Sequence, residues 1–450
     1  MTVTQGVFKA YDVRGRYPGE LDEDGAEQIG RAYVALTGVK TVALGHDVRL
    51  SSPAMAARFA DGVISAGADV CELGLAATEM VYFAVGEGGY DGGVAITASH
   101  NPPEYTGAKL VVAGALPLAG DAGIGELGRI TLGAGGPTAP SPGARSVDEG
   151  LLGRFVDRCL GFVDPAAIKG LKVVLDGANG MAGLYVTPVL DRISIDAVPC
   201  FLDLDGRFPH HEPNPLLEEN RAFIEGKVKE TGADLGIAWD GDADRCFFID
   251  DLGEFVPGDF LTALLAEHLL RQHGPAPIIY DLRASWAVRD TVLAAGGAPD
   301  EFRVGHAFIK QRMREIGALF AGEVSGHYYF RDFYSVDTGL VPALLILELL
   351  ATSDKPLSAL IDRFRDRYHI SGEINSTVAD SGAALERLRG RYSDGRQTEM
   401  DGLSVAYDDW HFNVRSSNTE PLLRLNLESL VSEADMERRR DEVLSVILES

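Results

Sequence analysis

Cysteine and positive charge are both scarce in this sequence, and each shortage excludes a class of protein. Four cysteines occur in 450 residues and none forms a CxxC pair, so neither a disulfide framework nor a cysteine zinc site is indicated. Lys and Arg number 41 against 67 Asp and Glu, a formal charge of -26. The electrostatic field of this negative charge repels nucleic acid and anionic membranes, so we expect neither as a partner. The cysteine usage is compatible with a reducing, cytoplasmic location, which we expect.

Long apolar runs and nucleotide-binding glycine loops are missing as well. The longest apolar stretch, Leu340 to Leu350, contains Pro342 and Glu348 and is too short to cross a bilayer. There is no Walker lysine loop and no complete GxGxxG, so nucleotide cofactors are not indicated. Because the net charge is strongly negative, an anionic substrate would need a local basic pocket or a bound cation.

Strand and helix patterns alternate through most of the chain, which is typical of βαβ units with a largely parallel sheet. A chain of 450 residues exceeds one ordinary core and predicts three or four domains. Three times, an apolar strand precedes a loop rich in functional side chains. The predicted fold is α/β, with three similar mixed-sheet domains and a C-terminal α+β domain around a central cleft. The predicted domains are 1–146, 147–252, 253–368 and 369–450.

Individual elements are also predicted from periodicity and from Gly and Pro positions. Asp259 is expected to cap the helix that follows it, and 132–144 is expected to be an exposed loop. The predicted helices are 25–36, 53–66, 147–159, 181–191, 260–272, 340–351, 356–368 and one from 433. The predicted strands are 41–45, 69–73, 94–96, 172–175, 233–238, 277–280, 318–321 and 422–427, with a hairpin near 400–408.

The first functional loop follows the apolar strand Val94 to Ile96. Thr97 to Pro103 lies at the carboxyl end of this strand, where open α/β sheets place their chemistry. Ser99 is the candidate nucleophile of this loop. The alternative is a surface turn with Asn-Pro as its breaker.

The second functional loop has carboxylates at every second position, Asp240, Asp242 and Asp244. On an extended segment they would project to the same side and converge on one hard divalent cation, for which magnesium is our first choice. Arg245 stands where a calcium-binding EF-hand loop requires glycine, which excludes that identity. An acidic, solvated turn stays open, and so does an aspartyl nucleophile of the phosphatase type.

The remaining loops carry groups suited to a sugar phosphate. Glu323, Ser325 and His327 alternate, so a carboxylate, a hydroxyl and an imidazole on one side would suit adjacent sugar hydroxyls; a core histidine is the alternative. Arg415 to Pro421 has the density of donors that a phosphate needs. A Ser/Asn-rich turn would explain its composition but not its arginine.

Other ionisable residues have roles that the sequence alone does not rank. His306, Lys310 and Lys109 could each transfer a proton, and His306 could equally be ordinary packing. The polar opening around Tyr11 and Arg14 could reach an anion or form a surface turn.

Together these loops resemble the α-D-phosphohexomutase superfamily over essentially the whole chain. The segments Thr-Ala-Ser-His-Asn-Pro, Asp-Gly-Asp-Ala-Asp-Arg, Gly-Glu-Val-Ser-Gly-His and Arg-Ser-Ser-Asn-Thr-Glu-Pro occur in the order and spacing of that superfamily. The sugar loop Gly-Glu-x-Ser-Gly-His and the continuation Asn-Pro-Pro-Glu-Tyr-x-Gly-x-Lys after Ser99 are similar to the bacterial phosphomannomutase/phosphoglucomutase group.

The resemblance implies roles for particular residues and four domains around a deep cleft. Ser99 would be the phosphoserine of the active enzyme, and one of its phosphate oxygens would bind magnesium together with Asp240, Asp242 and Asp244. The implied catalytic residues are Ser99, His100, Lys109 and Arg245. The implied substrate-binding residues are Tyr11, Arg14, Arg283, His306, Glu323, Ser325 and His327, and the phosphate clamp is Arg415, Ser417, Asn418 and Thr419.

The implied activity is the reversible interconversion of hexose 6-phosphate and hexose 1-phosphate, with mannose favoured. Hexose 1,6-bisphosphate would be both intermediate and activator, and the chain would be a monomer or a small homo-oligomer. Phosphoglucosamine mutase, an aspartyl-nucleophile sugar phosphatase and a sugar-phosphate sensor are the alternatives. Thr106, Ser416 and Arg283 stand where the group usually has Asn, Pro and Lys, and these differences concern the substrate more than the reaction.

Overall fold

The computed structural model of this chain describes residues 3–416 and 422–449. The chain divides into two compact units. The first unit comprises Met1–Val256 and Ser325–Leu357, and the second comprises Pro257–Val324 and Ser358–Ser450. In the described residues, no helix combines the length and the apolar character needed to cross a membrane.

The first unit begins with a mixed seven-stranded sheet. The parallel strands are Gly92–Ile96, Thr41–His46, Asp69–Leu75 and Arg145–Val147. The antiparallel strands at the other edge are Val13–Arg16, Tyr105–Val112 and Leu116–Pro117. Every residue of Gly92–Ile96 is buried, because helices cover both faces of this central strand.

The helices of this part are Glu23–Thr37, Ser52–Ser65, Thr78–Gly88 and Glu126–Ala134. The first begins at Asp22, whose carboxylate accepts a hydrogen bond from the Gly25 amide at 2.9 Å. It meets the second helix through glycines, since a Cβ at Gly62 would lie 2.0 Å from the carbonyl oxygen of Glu27. Only glycine permits this close approach, which brings the two helices together on one face of the sheet.

A second, five-stranded sheet in the first unit repeats this arrangement. Its parallel strands are Leu235–Trp239, Lys169–Asp176 and Ser194–Cys200, and its antiparallel strands are Cys246–Ile249 and Phe255–Val256. The helices are Leu151–Leu160, Ala182–Leu190 and Glu218–Thr231. The unit also contains the antiparallel strands Tyr328–Phe330 and Val336–Asp337 and the helix Leu340–Thr352. In both sheets, a fully buried parallel strand is followed by a loop and an antiparallel return strand.

The second unit has parallel strands Pro277–Asp281, Ala298–Phe302 and Phe320–Gly322. Its antiparallel sheet contains His369–Ile370, Ile374–Thr377, Arg396–Thr398, Leu403–Ala406, Trp410–Ser416 and Leu422–Ser429. The helices are Gly258–His273, Trp286–Ala294, His306–Ile316, Leu357–Arg365, Ser381–Arg391 and Glu433–Leu448. The antiparallel sheet and its two last helices enclose a separate apolar core, as expected for an α+β domain.

Several sequence expectations about single elements are wrong. Val147 does not begin a helix, because Arg145–Val147 pairs with the strand Asp69–Leu75. Helix Glu126–Ala134 extends into the segment expected to be a loop. Asp259 is not the cap but a first-turn residue of its helix, where its carboxylate accepts from the Phe260 and Ser285 amides. The predicted hairpin is shifted, since Arg396–Thr398 pairs with Leu403–Ala406.

Several elements that border the candidate site had no sequence prediction, among them helix Thr78–Gly88 and the strands Tyr105–Val112, Cys246–Ile249 and Tyr328–Phe330. The first eight residues of helix Thr78–Gly88 are all buried, so this helix has no solvent-facing side and no amphipathic period that would reveal it in the sequence. Strand Tyr105–Val112 lies in the segment after Ser99 that the sequence identified only by its family motif.

Candidate active site

Ser99 lies in a tight turn after the buried strand Gly92–Ile96. Its backbone has φ +52°, a left-handed conformation that is uncommon for residues other than glycine. The Ser99 amide donates a hydrogen bond to Thr97 Oγ1 at 2.9 Å, which stabilises the turn. Only 4% of Ser99 is exposed, so its hydroxyl is held in a defined, largely dry environment.

Arg49 holds the serine turn in place, and sequence reasoning missed it. Its guanidinium donates to the carbonyl oxygens of Ser99, Asn101 and Pro102 at 2.8, 2.6 and 2.7 Å. Asp47 accepts from Arg49 Nε at 3.1 Å. Burial lowers the pKa of Arg49, while the Asp47 charge opposes that change. No local pattern marks this arginine, since its acceptors are backbone groups some fifty positions away.

The three carboxylates of the acidic loop converge as predicted, but for a different reason. Asp240, Asp242 and Asp244 each offer an oxygen, and the three oxygens lie within 4.8 Å of one another. The segment is a turn and not an extended strand, because Ala243 has φ +63° and its amide donates to the Asp240 carbonyl at 3.1 Å. Convergence therefore comes from a left-handed turn and not from alternation.

The acidic loop and the serine turn are packed directly against each other. A Cβ at Gly241 would lie 2.5 Å from the Ser99 carbonyl oxygen, so glycine is needed there. Ser99 Oγ lies 3.2 Å from Asp240 Oδ2 and 3.4 Å from Arg245 Nη2. The sequence expectation that the serine hydroxyl faces the acidic loop is met at hydrogen-bonding distance.

These carboxylates fit a divalent cation. All three are buried, and two cationic side chains, Lys109 and Arg245, leave the group with a net negative charge. Burial, reinforced by Asp242 and Asp244, raises the pKa of Asp240 to about 7. Oδ1 of Asp242 is buried and has no hydrogen-bond partner among the residues that the structure describes. A hard cation would satisfy that oxygen and offset the charge.

Lys109 and Arg245 bind different carboxylates of the acidic loop. Lys109 Nζ donates to Asp242 Oδ2 at 2.7 Å and also to Asp244. Although burial acts to lower it, the pKa of Lys109 is raised well above its usual value by Asp242 and Asp244. Arg245 donates to Asp240 Oδ2 from Nε and Nη2, at 2.9 and 2.7 Å. Arg245 therefore carries positive charge beside Ser99, and Lys109 carries it beside Asp242 and Asp244.

His100 and Arg14 complete the surroundings of the serine turn. His100 Nδ1 lies 3.3 Å from Ser99 Oγ and also contacts Arg245. Burial, together with Arg245, holds the pKa of His100 well below its usual value, so its ring is neutral. Arg14 Nη1 donates to Asn101 Oδ1 at 2.7 Å. Tyr11 lies half-buried in the turn before this arginine.

Ser325 and His327 also belong to the first unit and approach the acidic loop. Ser325 Oγ lies 3.1 Å from His327 Nδ1. His327 Nε2 lies 3.7 Å from Asp244 Oδ1 and 3.9 Å from Asp337 Oδ2. Asp337 is buried and was not anticipated from the sequence. These two aspartates and His327 form a second group that could hold a metal ion.

Glu323 does not share one side of an extended segment with Ser325 and His327. The segment turns at Gly326, where φ is +86°, and Glu323 belongs to the second unit. There its buried carboxylate accepts from the Gly305 amide at 3.3 Å. His306 is the first residue of the helix that follows Gly305, so it stands beside Glu323 in this unit.

A cluster of arginines around one glutamate lies in the second unit. Glu373 accepts from Arg283 and Arg424, each at 3.2 Å, and lies 3.7 Å from Arg415. Asp281 also pairs with Arg283, at 2.9 Å. Arg415 and Arg424 stand directly opposite on paired strands. The predicted clamp residues Ser417, Asn418 and Thr419 lie outside the described residues.

Models of one protein family match most of the chain. Four family models match the chain in order: phosphoglucomutase/phosphomannomutase α/β/α domain I at residues 5–126, domain II at 154–253, domain III at 257–368 and the C-terminal domain at 373–446. The predicted α/β class, with three related domains and a distinct C-terminal domain, is confirmed.

Relatives extend over the full length of the chain. A protein of Xanthomonas campestris pv. campestris named phosphohexose mutases is 42% identical and covers 99% of this chain and 100% of its own. The Escherichia coli K12 phosphomannomutase is 42% identical over 98% and 99%. A crystal structure of a phosphoglucomutase/phosphomannomutase family protein from Burkholderia thailandensis has a TM-score of 0.89 at 34% identity, covering 99% and 98%. This chain is therefore an enzyme of the phosphoglucomutase/phosphomannomutase family of phosphohexomutases.

Proposed function

We propose that this enzyme interconverts hexose 6-phosphate and hexose 1-phosphate through a phosphoserine at Ser99, with mannose as the favoured sugar. The observation that carries the proposal is the position of Ser99 Oγ, 3.2 Å from Asp240 and 3.4 Å from Arg245. A phosphoryl group on this oxygen would meet the Arg245 guanidinium and a group of carboxylates suited to a cation. Full-length relatives named phosphomannomutase support the choice of sugar.

In the proposed reaction, the bond between Ser99 Oγ and phosphorus breaks while a free sugar hydroxyl bonds to phosphorus, and in net terms the hydroxyl proton passes to Ser99 Oγ, which leaves as a free hydroxyl. The product of this half-reaction is a bound hexose 1,6-bisphosphate, which also serves as activator. After the intermediate turns end for end, its other phosphate returns to Ser99. Such phosphoryl transfer needs mainly positioning and charge stabilisation. Arg245 supplies fixed positive charge beside the oxygen that accepts and donates the group, and Lys109 supplies it on the neighbouring carboxylates of Asp242 and Asp244.

Magnesium, held by Asp240, Asp242, Asp244 and a phosphoserine oxygen, would offset charge on the transferred group. His100 is neutral and accepts from Arg245, so we assign it to orienting that guanidinium beside Ser99 Oγ. Arg49 holds the serine turn through three carbonyl oxygens, which keeps the hydroxyl in register with the acidic loop. These contacts place the reacting oxygen before any substrate binds.

The remaining assignments concern the substrate. Glu323, Ser325 and His327 would contact sugar hydroxyls, and Arg415 with Ser417, Asn418 and Thr419 would clamp the phosphate that does not react. Tyr11, Arg14, Arg283 and His306 would complete the binding residues. These roles divide over the four proposed domains, 1–146, 147–252, 253–368 and 369–450.

A coupled mutase assay tests the proposal. Mannose 1-phosphate, glucose 1-phosphate and glucosamine 6-phosphate are compared with magnesium and a trace of hexose 1,6-bisphosphate. We expect turnover of the first two, faster with mannose, and one phosphate on Ser99 by intact-mass and peptide analysis. Ser99→Ala should remove both. Phosphate on Asp240 or Asp242 with release of inorganic phosphate would instead indicate a phosphatase, and preferred turnover of glucosamine 6-phosphate would overturn the sugar assignment.

A further inference from the structure

The helix Thr78–Gly88 starts directly at the acidic loop, within the first unit. The Thr78 hydroxyl donates to Asp242 Oδ2 at 2.5 Å, and the Thr78 amide donates to the Asp242 carbonyl at 3.3 Å. Thr78 is 1% exposed. The helix has no side-chain cap at Ala77, so the acidic loop satisfies an amide that its own first turn leaves without a partner.

These contacts decide which oxygen of Asp242 remains available. Oδ2 accepts from both Thr78 and Lys109, whereas Oδ1 is buried and has no hydrogen-bond partner in residues 3–416 and 422–449. Lys109 is shared between Asp242 and Asp244, so it does not distinguish the two carboxylates. The Thr78 hydroxyl contacts Asp242 without such sharing and fixes the rotation of that carboxylate.

Glu79, the next residue of the helix, contacts Gly339, which in turn packs against both ends of the acidic loop. Glu79 Oε2 accepts from the Gly339 amide at 3.1 Å. The Gly339 carbonyl accepts from Trp239 Nε1 at 3.1 Å, just before Asp240. A Cβ at Gly339 would lie 2.4 Å from the Ala243 carbonyl oxygen. The first turn of this helix is therefore joined to the acidic loop at its start, at Asp242 and near its end.

We propose that Thr78 is a positioning residue of the cation site: its hydroxyl holds Oδ2 of Asp242 so that Oδ1 is presented to the cation. The inference rests on the cation site of the proposed function. The Thr78 amide supplies a second contact, and the positive end of the helix dipole favours the ionised carboxylate. Outer contacts of this kind orient metal-binding carboxylates, and their loss costs about 10- to 100-fold in metal affinity.

The experiment compares Thr78→Val, which keeps the branched shape and removes the hydroxyl, with Thr78→Ser, which keeps the hydroxyl. Binding of Mn²⁺ to each purified full-length protein is titrated by the loss of the free-ion paramagnetic resonance signal, and Mg²⁺ is measured by competition. We expect Thr78→Val to raise the Mn²⁺ Kd about 10- to 100-fold and Thr78→Ser to stay close to the original protein. Thr131→Val is the matched control, because Thr131 is an equally buried helical threonine whose hydroxyl donates to the Leu127 carbonyl of its own helix.

Unchanged Mn²⁺ affinity in Thr78→Val, or equal losses in the valine and serine variants, would overturn the proposal. Thr78→Ala is a second variant without the hydroxyl, for use if the valine variant does not fold, and circular dichroism identifies the folded one. The titration needs no turnover, so it separates the two proposals. A chain that binds Mn²⁺ in a Thr78-dependent way but does not convert hexose phosphates would refute the mutase reaction and retain the role of Thr78.

Discussion

Replacing the buried Glu79 by glutamine should change how stability depends on pH. Burial, with a contribution from Asp244, raises the pKa of Glu79 from its usual 4.5 to about 8. Between these values the native protein keeps a proton that the unfolded chain releases, so the wild type loses stability as pH rises from 4.5 to 8. That interval corresponds to about 5 kcal/mol. Glutamine cannot ionise, and its side-chain oxygen can still accept from the Gly339 amide.

We therefore expect Glu79→Gln to match the wild type near pH 4.5 and to exceed it by up to about 5 kcal/mol at pH 8. For domains of this size the gain corresponds to roughly 10 °C in Tm. Thermal unfolding of both proteins from pH 5 to pH 8 measures the difference in Tm between the variant and the wild type. Glu87→Gln is the control, because Glu87 is an exposed glutamate on the same helix. A difference in Tm that stays constant over this pH range would refute the assignment of a buried, protonated Glu79.

Three further predictions concern contacts that hold the candidate site. Arg49→Lys keeps the charge, but a lysine cannot reach three carbonyls at once. We therefore expect kcat to fall at least tenfold at similar KM, and Tm to fall because each unsatisfied carbonyl costs about 1–3 kcal/mol. A variant with normal kcat would contradict the role of Arg49. Ser99→Gly relieves the left-handed backbone and removes the hydroxyl, so Tm should hold or rise while mutase activity disappears; residual turnover near the wild-type rate would exclude phosphoserine chemistry. Glu373→Gln removes the carboxylate shared by three arginines, so Tm should fall by the equivalent of about 1 kcal/mol in chloride buffer and recover in phosphate, which can replace the lost charge. An equal Tm loss in both buffers would argue against phosphate binding by these arginines.

Much of the architecture was predictable because its signals are local. The helices Glu23–Thr37 and Ser52–Ser65 and the strand Leu235–Trp239 lie within a few residues of their expected positions, since apolar period and capping residues act over one or two turns. Helix Thr78–Gly88 was missed because burial of its first eight residues erases that period. The strand Arg145–Val147 was missed because an edge strand of three exposed residues is defined by the partner to which it bonds.

The sequence alone made Ser99 and the three aspartates candidates, because a serine after an apolar strand and carboxylates at every second position can be recognised without a structure; the family resemblance implied their roles. Their arrangement did not follow from the sequence. The acidic side chains converge through a left-handed turn at Ala243, and Arg49 and Thr78 act on groups fifty or more positions away. Such contacts leave no local pattern, because a backbone carbonyl or a carboxylate accepts a hydrogen bond from any donor that the packing brings to it. Tertiary structure therefore decided which oxygen meets which donor.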